Sequence, residues 1–374
     1  MYRVLHVIPS MGGGGAERQL VMLAADQVRA GHDVHVALLH GGVHEEELRA
    51  TGCAVHVVPA RANHDPRIVF QLARLMRRIA PDVVQTWLTQ SDVLGGIAAR
   101  VCGIPWLLTE RSSGMHYDRS LQYIARRFVA RSAVAVVANS QQGTEYWRKV
   151  LGPRHQYHVV HNAVDQSKTR SEAAMPHPDL QFKPATRILF VGRFTPPKNI
   201  FTFLDAVEAL SQERNIHVLL CGQGYLRPRV VERLRTRNML PYVTLAGFQQ
   251  NVGQHMRSAD IFVSTSLFEG HPNAVLEATT IGCPLVISDI PAHREILNDE
   301  TALFVDAGDA AGFARAMRQI IDEPEAARLR AIAARERIAQ LNVLAPCEQY
   351  AAIYADVLRH VGVAAPEVST CAVS

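Results

Sequence analysis

Two glutamates eight positions apart, Glu269 and Glu277, bracket a short stretch, Gly270-His271-Pro272-Asn273-Ala274-Val275-Leu276. The stretch follows an apolar run, Ile261-Phe-Val-Ser-Thr265, that reads as a buried strand. Gly270 allows a backbone to come close to a ligand, and Pro272 suits a first helical turn that Asn273 to Ala278 would continue. The start of a helix presents free N–H groups and suits an anion. Glu269 would lie on the loop facing the ligand, and Glu277, about two turns into the helix, would reach another part of it. A carboxylate only accepts hydrogen bonds, so it suits the hydroxyls of a sugar. The competing reading is structural: Glu269 caps the helix and Glu277 lies on a solvated face.

Three further stretches carry compatible chemistry. Met11-Gly12-Gly13-Gly14-Gly15-Ala-Glu17-Arg18 is a glycine loop opening a helix after the first strand, and the backbone of Gly13 and Gly14 could approach a diphosphate or a sugar. The second strand ends in Leu39-His40-Gly41-Gly42, without the acidic residue that holds a ribose in a dinucleotide fold, which counts against a nicotinamide dehydrogenase. Val191-Gly192-Arg193-Phe-Thr-Pro-Pro-Lys198 puts two cations on one loop, where the arginine could clamp a phosphate with two hydrogen bonds and the lysine adds a point charge. Cys221-Gly222-Gln-Gly224 ends another strand with residues small enough to admit a flat base or a phosphate. Each stretch alone also reads as an ordinary loop; together they suit a nucleotide diphosphate carrying a sugar.

The elements that must position these loops alternate between β-branched runs and helical patterns. In the first half, strands are expected at Val4–Ile8, Val34–Leu39, Val55–Val58, Val83–Trp87, Trp106–Thr109 and Ala133–Val137, with helices near 16–30, 67–79, 92–102 and 120–131. After a polar, proline-bearing stretch the rhythm restarts, with strands at Arg187–Val191, His217–Cys221, Val243–Ala246, Ile261–Thr265, Pro284–Ser288 and Ala302–Val305. Helices are expected near 201–210, 229–237, 310–321, 324–340 and 347–360. The pattern predicts an α/β chain of two doubly wound parallel sheets whose carboxyl ends would face a central cleft. The expected divisions are a first domain over 1–165, a linker over 166–186, a second domain over 187–345, a last helix over 346–361 and a frayed tail over 362–374.

A length of 374 residues suits two domains, and 48% hydrophobic with 20% charged residues is ordinary for a soluble globular enzyme. No apolar run approaches the roughly 18 residues of a membrane span, and the amino terminus enters a strand without a signal-peptide pattern, so a cytoplasmic location is expected. Six scattered cysteines read as reduced, buried thiols. His155, His158 and His161 recur at intervals of three, but in a strand-like run that spacing turns neighbours to opposite faces, so no metal is expected. Over residues 1–170 there are about 20 basic and 13 acidic side chains, against about 19 and 22 in the remainder. A basic first half suits an anionic partner or a membrane surface. The segment Arg119 to Arg131 mixes cations with apolar residues at helical spacing and could dock peripherally on an anionic membrane, or simply bury its apolar stripe.

Taken with these motifs, the sequence resembles the retaining glycosyltransferases of family GT4, of GT-B fold, over nearly its whole length. Glu269-Gly-His-Pro-Asn-Ala-Val-Leu-Glu277-Ala resembles the family's E-x7-E motif, and Gly192-Arg193 with Lys198, Ala259-Asp260-Ile-Phe-Val, Gly282-Cys-Pro-Leu-Val286 and Asn162-Ala-Val-Asp165 resemble its recurring segments. The resemblance implies two Rossmann-like domains, the first on the acceptor side and the second holding a nucleotide-sugar donor. Arg193 and Lys198 would hold the leaving diphosphate, Glu277 the ribose, and Glu269 with the amides from Gly270 through His271, Asn273, Ala274 and Val275 the donor sugar and β-phosphate. It implies no metal and no cofactor beyond the nucleotide sugar, UDP ahead of GDP, no nucleic acid, and a sugar or lipid-linked acceptor. The last helix, Glu348-Gln-Tyr350-Ala-Ala-Ile-Tyr354, would return to the first domain. Two departures stand out: where the family often carries an acceptor-side histidine this chain reads Trp87-Leu-Thr-Gln90-Ser-Asp92, leaving Gln90 or His116 as substitutes, with Arg111 a further acceptor-side candidate, and Ala163 replaces a usual glycine. A glycosidase would need its two carboxylates flanking one bond, which a loop Glu269 and a helical Glu277 do not suit. A sugar-nucleotide epimerase on the same fold, a binding module without turnover, and transfer to a soluble small molecule remain the alternatives.

Overall fold

A computed structural model describes residues 1–59, 65–114, 117, 120–164, 185–341 and 346–362. The chain falls into two compact units, one of Met1–Ala163 with Leu344–Ser374 and the other of Val164–Val343. The linker around 166–184, His116, Arg119, Cys371 and the tail beyond 362 lie outside the described residues.

In the first unit seven strands, β1 (Arg3–Ser10), β2 (Asp33–His40), β3 (Ala54–Val57), β4 (Val83–Trp87), β5 (Trp106–Glu110), β6 (Ala135–Ala138) and β7 (Gln156–Val159), form one sheet in the order β3-β2-β1-β4-β5-β6-β7. Every pairing is parallel. Parallel strands need crossovers, and helices covering both faces make the strands continuous apolar runs. Along β1 the side chains alternate between two cores: Val4 and Ile8 join Leu20, Trp87 and Tyr354, whereas Leu5 and Val7 join Leu72, Trp106 and Trp147. The crossovers are α1 (Gly15–Arg29), α2 (Glu45–Ala50), α3 (Arg67–Ile79), α4 (Leu88–Cys102), α5 (Leu121–Ala130) and α6 (Gln141–Leu151).

The second unit repeats the plan with β8 (Thr186–Val191), β9 (Ile216–Cys221), β10 (Val243–Gly247), β11 (Ile261–Ser264), β12 (Leu285–Ser288) and β13 (Leu303–Val305), in the order β10-β9-β8-β11-β12-β13, again all parallel. The strand order reverses between β1 and β4 in the first sheet and between β8 and β11 in the second. Loops following those strands flank the crevice where such sheets take ligands.

Several elements were not apparent from periodicity. Helix α6 is largely polar, and its start is marked instead by Ser140, whose Oγ accepts from the Gly143 N–H at 3.3 Å. Helix α4 begins at Leu88 rather than at Asp92, because Leu88 turns the chain with φ 68° directly off β4. Within the cation-bearing segment Arg119 to Arg131, Arg126 turns inward. It is 2% exposed, donates to Asp92 at 2.7 Å and to Glu110 at 3.0 Å, and lies against the rings of Tyr117 and Trp147. Two carboxylates share this guanidinium, and burial pushes Asp92 up to about 6. Of the five described cysteines, Cys53, Cys221, Cys283 and Cys347 are buried and Cys102 half-buried.

The helix Pro346–His360 belongs to the first unit, where Tyr350 and Tyr354 enter the core beside β1. A buried polar chain fixes it. The Trp87 indole donates to His6 Nδ1 at 3.2 Å, His6 Nε2 faces Gln27 Oε1 at 2.8 Å, the Gln27 amide donates to the Tyr354 hydroxyl at 3.0 Å, and that hydroxyl donates to Gln85 at 2.5 Å. This arrangement makes His6 a neutral imidazole carrying its proton on Nε2, and burial pushes it down to about 4.

Two outcomes are expected, both read by tryptophan fluorescence, since Trp87, Trp106 and Trp147 all lie in the first unit. Tyr354→Phe leaves the buried Gln27 amide N–H and the Gln85 amide oxygen without the hydroxyl that joins them and lowers the unfolding free energy by about 1–3 kcal/mol; an unchanged denaturation midpoint would contradict the network. His6 binds its proton more weakly folded than unfolded, so its contribution is complete above about pH 6.5 and disappears as the pH falls toward 4. At about 1.4 kcal/mol per unit, that is a loss of up to about 3 kcal/mol, which His6→Gln should diminish.

Candidate functional site

The second unit brings its charged loops together at the strand-order reversal. After β8, Pro196–Lys198 forms a single 3-10 turn, and Asn199, with φ 48°, leads into the helix Ile200–Ser211. The loop after β11 clasps that turn: the Thr265 hydroxyl donates to the carbonyls of Lys198 and Asn199 at 3.1 and 3.0 Å, and the Leu267 N–H to that of Pro197 at 2.8 Å. These bonds hold the Lys198 ammonium against the Glu269 carboxylate in an ion pair, with side chains 24% and 15% exposed. The Ser266 hydroxyl also donates to Glu269, at 2.7 Å. Burial pushes the Glu269 carboxyl up, but Lys198 and Ser266 together outweigh it and hold the group below its ordinary value. Glu269 is therefore an anion bound to a cation, not a helix cap.

A third strand end joins this pair through residues that spacing alone did not single out. The Ser288 hydroxyl, at the end of β12, donates to the Ser266 carbonyl at 2.6 Å, and the Ser288 carbonyl lies 2.7 Å from His293 Nδ1. A carbonyl only accepts, so Nδ1 carries the proton and Nε2 is an acceptor. Burial pushes His293 down to about 4, with the Glu269 and Lys198 charges acting on it in opposite directions. Its Nε2 is buried without a hydrogen-bond partner among the described residues. The available signal was positional: Asp289-Ile-Pro-Ala-His293 follows the strand adjacent to β11.

The other residues expected on the donor side are held in different ways. Arg193 is exposed, its loop anchored by buried Phe194, whose N–H donates to the Gln223 carbonyl at 2.8 Å. No hydrogen bond or ion pair among the described residues joins Arg193 to the Lys198–Glu269 pair. The helix Asn273–Ile281 starts after Pro272, so Glu277 lies about one turn in, half-buried, rather than two. Gly270 and His271 are buried, Asn273 and Ala274 half-buried, and Val275 packs into the core. Gly222 and Gly224 have a reason of their own: a Cβ on either would lie 1.9 Å from the Gly192 carbonyl oxygen or 2.3 Å from that of Phe194. They let the loops after β8 and β9 touch, which is what sets the Arg193 loop in place.

In the first unit the glycine loop does open α1, with Gly14 as its N-cap and the Glu17 carboxylate folded back over it. Gln90 lies in the first turn of α4. Arg111, directly after β5, stacks 4.2 Å over Trp87 and donates to Asn162 Oδ1 at 2.9 Å and to the Tyr350 hydroxyl at 3.2 Å. It thereby fastens the end of the first sheet to the last helix, and burial pushes its guanidinium below its ordinary value. Ala163 needs no glycine: its backbone is held on both sides by the Gln19 amide at 2.8 Å, and its φ is not positive.

The arrangement joins a cation, a carboxylate and a helix start at a crevice position, a set suited to a sugar bearing a diphosphate. Comparison with known proteins agrees. Residues 13–168 match the family described as Glycosyltransferase Family 4, and residues 185–323 that described as Glycosyl transferases group 1, together most of the chain. The putative glycosyltransferase EpsF of Bacillus subtilis is 28% identical over 77% of this chain and 79% of its own. The UDP-Gal:alpha-D-GlcNAc-diphosphoundecaprenol alpha-1,3-galactosyltransferase of Escherichia coli is 25% identical over 69% and 71%. Among solved structures, Anabaena HepE in complex with UDP and glucose superposes with a TM-score of 0.82 at 18% identity, covering 94% of this chain and 99% of that one. With two parallel-sheet α/β units of GT-B fold and both halves matched, the chain belongs to the family 4, group 1 glycosyltransferases.

Proposed function

We propose that this glycosyltransferase is a retaining enzyme that moves a sugar from a nucleoside diphosphate, UDP ahead of GDP, to an acceptor hydroxyl in surface polysaccharide or glycolipid assembly. The observation that carries the reading is the Lys198–Glu269 pair, clasped at the reversal of the second sheet. An ammonium bound to one carboxylate still has donors to spare, so an arriving diphosphate can draw on Lys198 without stripping Glu269 of its other partner, Ser266. The choice of UDP is supported by the UDP in HepE and by the donor in the name of the Escherichia coli relative, and a lipid-linked acceptor by the diphosphoundecaprenol in that name.

In this reading Arg193 and Lys198 take the leaving diphosphate, and Glu277 the ribose hydroxyls. Glu269 and the amides of Gly270 to Val275 grip the sugar and β-phosphate. Glu269, tied to Lys198 and Ser266, is not placed as a nucleophile. The acceptor oxygen therefore attacks the anomeric carbon on the face that the diphosphate leaves: the carbon–phosphate-oxygen bond breaks as the new one forms, and the acceptor proton passes to the departing phosphate. The protein stabilises the charge that grows on the leaving group and orients the acceptor. Gln90, Arg111 and His116 are the acceptor-side candidates, with Arg111 acting by holding Asn162 and Tyr350 in place.

The donor assignment is tested by thermal stabilisation with UDP, GDP, ADP, NAD and their sugar conjugates. Stabilisation by a uridine or guanosine diphosphate, lost in Glu277→Ala, is expected; a response to NAD alone would remove the donor site as assigned. Lys198→Ala should lower turnover more than tenfold, with the melting midpoint recorded alongside because Glu269 loses its cation. Wild-type turnover in that variant would sink the role of Lys198, and formation of a new sugar nucleotide without any acceptor would favour an epimerase.

A further inference from the structure

We infer that the outer faces of α3 and α5 dock the first unit on an anionic lipid bilayer. The inference stands on surface residues and goes beyond the transfer reading, which holds with or without it. Helices α3, α4 and α5 pack side by side, and their inner faces form one core with β1, β4 and β5. Outward, the charges on these helices have one sign. Arg67, Arg74, Arg77, Arg78 and Arg100 are exposed, as is Arg131 at the end of α5, and none forms an ion pair among the described residues. The single acid in the three helices, Asp92, is fully buried against Arg126.

Large apolar side chains stand among these cations. Phe70 is 72% exposed, Leu121 85%, Ile124 49% and Phe128 61%. The last three recur at spacings of three and four, one stripe along α5, pointing away from the core that Val129 and Ala130 enter. A helix with an apolar stripe in water among arginines has the composition of an interfacial helix. Helices that follow parallel strands run back against them, so the first turns of α3 and α5, with Phe70, Leu121 and Ile124, lie toward the carboxyl-end rim of the sheet, the rim that bears the ligand loops. Docking there would present that rim to molecules held in the bilayer.

The chemistry favours lipid over other polyanions. A nucleic acid would use the arginines, but its apolar contacts are separate base faces and methyl groups, not the continuous hydrocarbon that a stripe of Leu121, Ile124 and Phe128 along one helix matches. A bilayer with anionic headgroups satisfies both sets: the arginines lie at the headgroups and the stripe enters the acyl boundary. No helix among the described residues is long and apolar enough to cross a membrane, so the contact would be peripheral, and in a cytoplasmic protein it would fall on the inner face.

The test is co-sedimentation of the full chain with phosphatidylcholine vesicles, with and without phosphatidylglycerol. The variants are Leu121→Ser with Ile124→Ser, and Arg74→Glu with Arg78→Glu. Binding at least tenfold tighter to the anionic vesicles is expected, weakened by salt and reduced at least tenfold in each double variant, while tryptophan-monitored unfolding and nucleotide-induced stabilisation stay as in the wild type. The last readout separates a failed membrane face from a failed donor site. Equal partitioning to both vesicles, undiminished binding by either variant, binding to heparin or RNA but not to vesicles, or self-association that the variants abolish without any vesicle binding would each overturn the inference.

Discussion

A half-buried ammonium and carboxylate, Lys198 and Glu269, hold together two loops that the sequence separates by about seventy residues, and much of the second unit is arranged so that they can meet. Taking either charge from water costs several kcal/mol unless the other is close and well bonded. The bonds from the Thr265 hydroxyl and the Leu267 N–H to the backbone of the turn at Pro197–Asn199 meet that requirement by tying the two loops together beside the pair. The parallel pairing of β8 with β11 then fixes the height of both loops at one edge of the reversal.

The same logic extends to the neighbouring strand. Ser288 links its own loop to Ser266, and His293 is held by the Ser288 carbonyl in the tautomer that leaves Nε2 as a bare acceptor. A buried acceptor without a donor is costly, and here it stands within electrostatic range of the pair that a diphosphate would perturb. The cluster is thus a set of opposed charges and dipoles with little room to relax, which suits a site that must stabilise charge appearing on a leaving group.

The first unit is governed by a different constraint, the satisfaction of buried polar groups. His6, Gln27, Gln85, Trp87 and Tyr354 form one hydrogen-bonded chain through the core, and Arg111 with Asn162 and Tyr350 forms a second tie to the same helix. A third set, Arg126 with Asp92, Glu110, Tyr117 and Trp147, anchors α5 by its inner face. Because Arg126 turns inward, the outward face of that helix is left to Leu121, Ile124 and Phe128.

The sequence by itself determined the class of fold and offered the candidate loops. β-branched runs alternating with helices dictate parallel sheets, and glycine, proline and charge at strand ends single out Arg193, Lys198, Glu269 and Glu277 as candidates from residue type and spacing. It did not determine what those residues touch. Lys198 reaches Glu269 because β8 and β11 are neighbours in space, a long-range pairing with no local signal. His293 joins them through β12 for the same reason. Gly222 and Gly224 looked like room for a ligand, and the packing gives them a reason of its own, the close approach of neighbouring backbone. The arginines of α5 looked alike at helical spacing, yet Arg126 is buried and Arg131 exposed. Periodicity records which side of a helix is apolar, but whether a cation on that helix meets water or a carboxylate depends on side chains that other strands bring, and only tertiary packing supplies those.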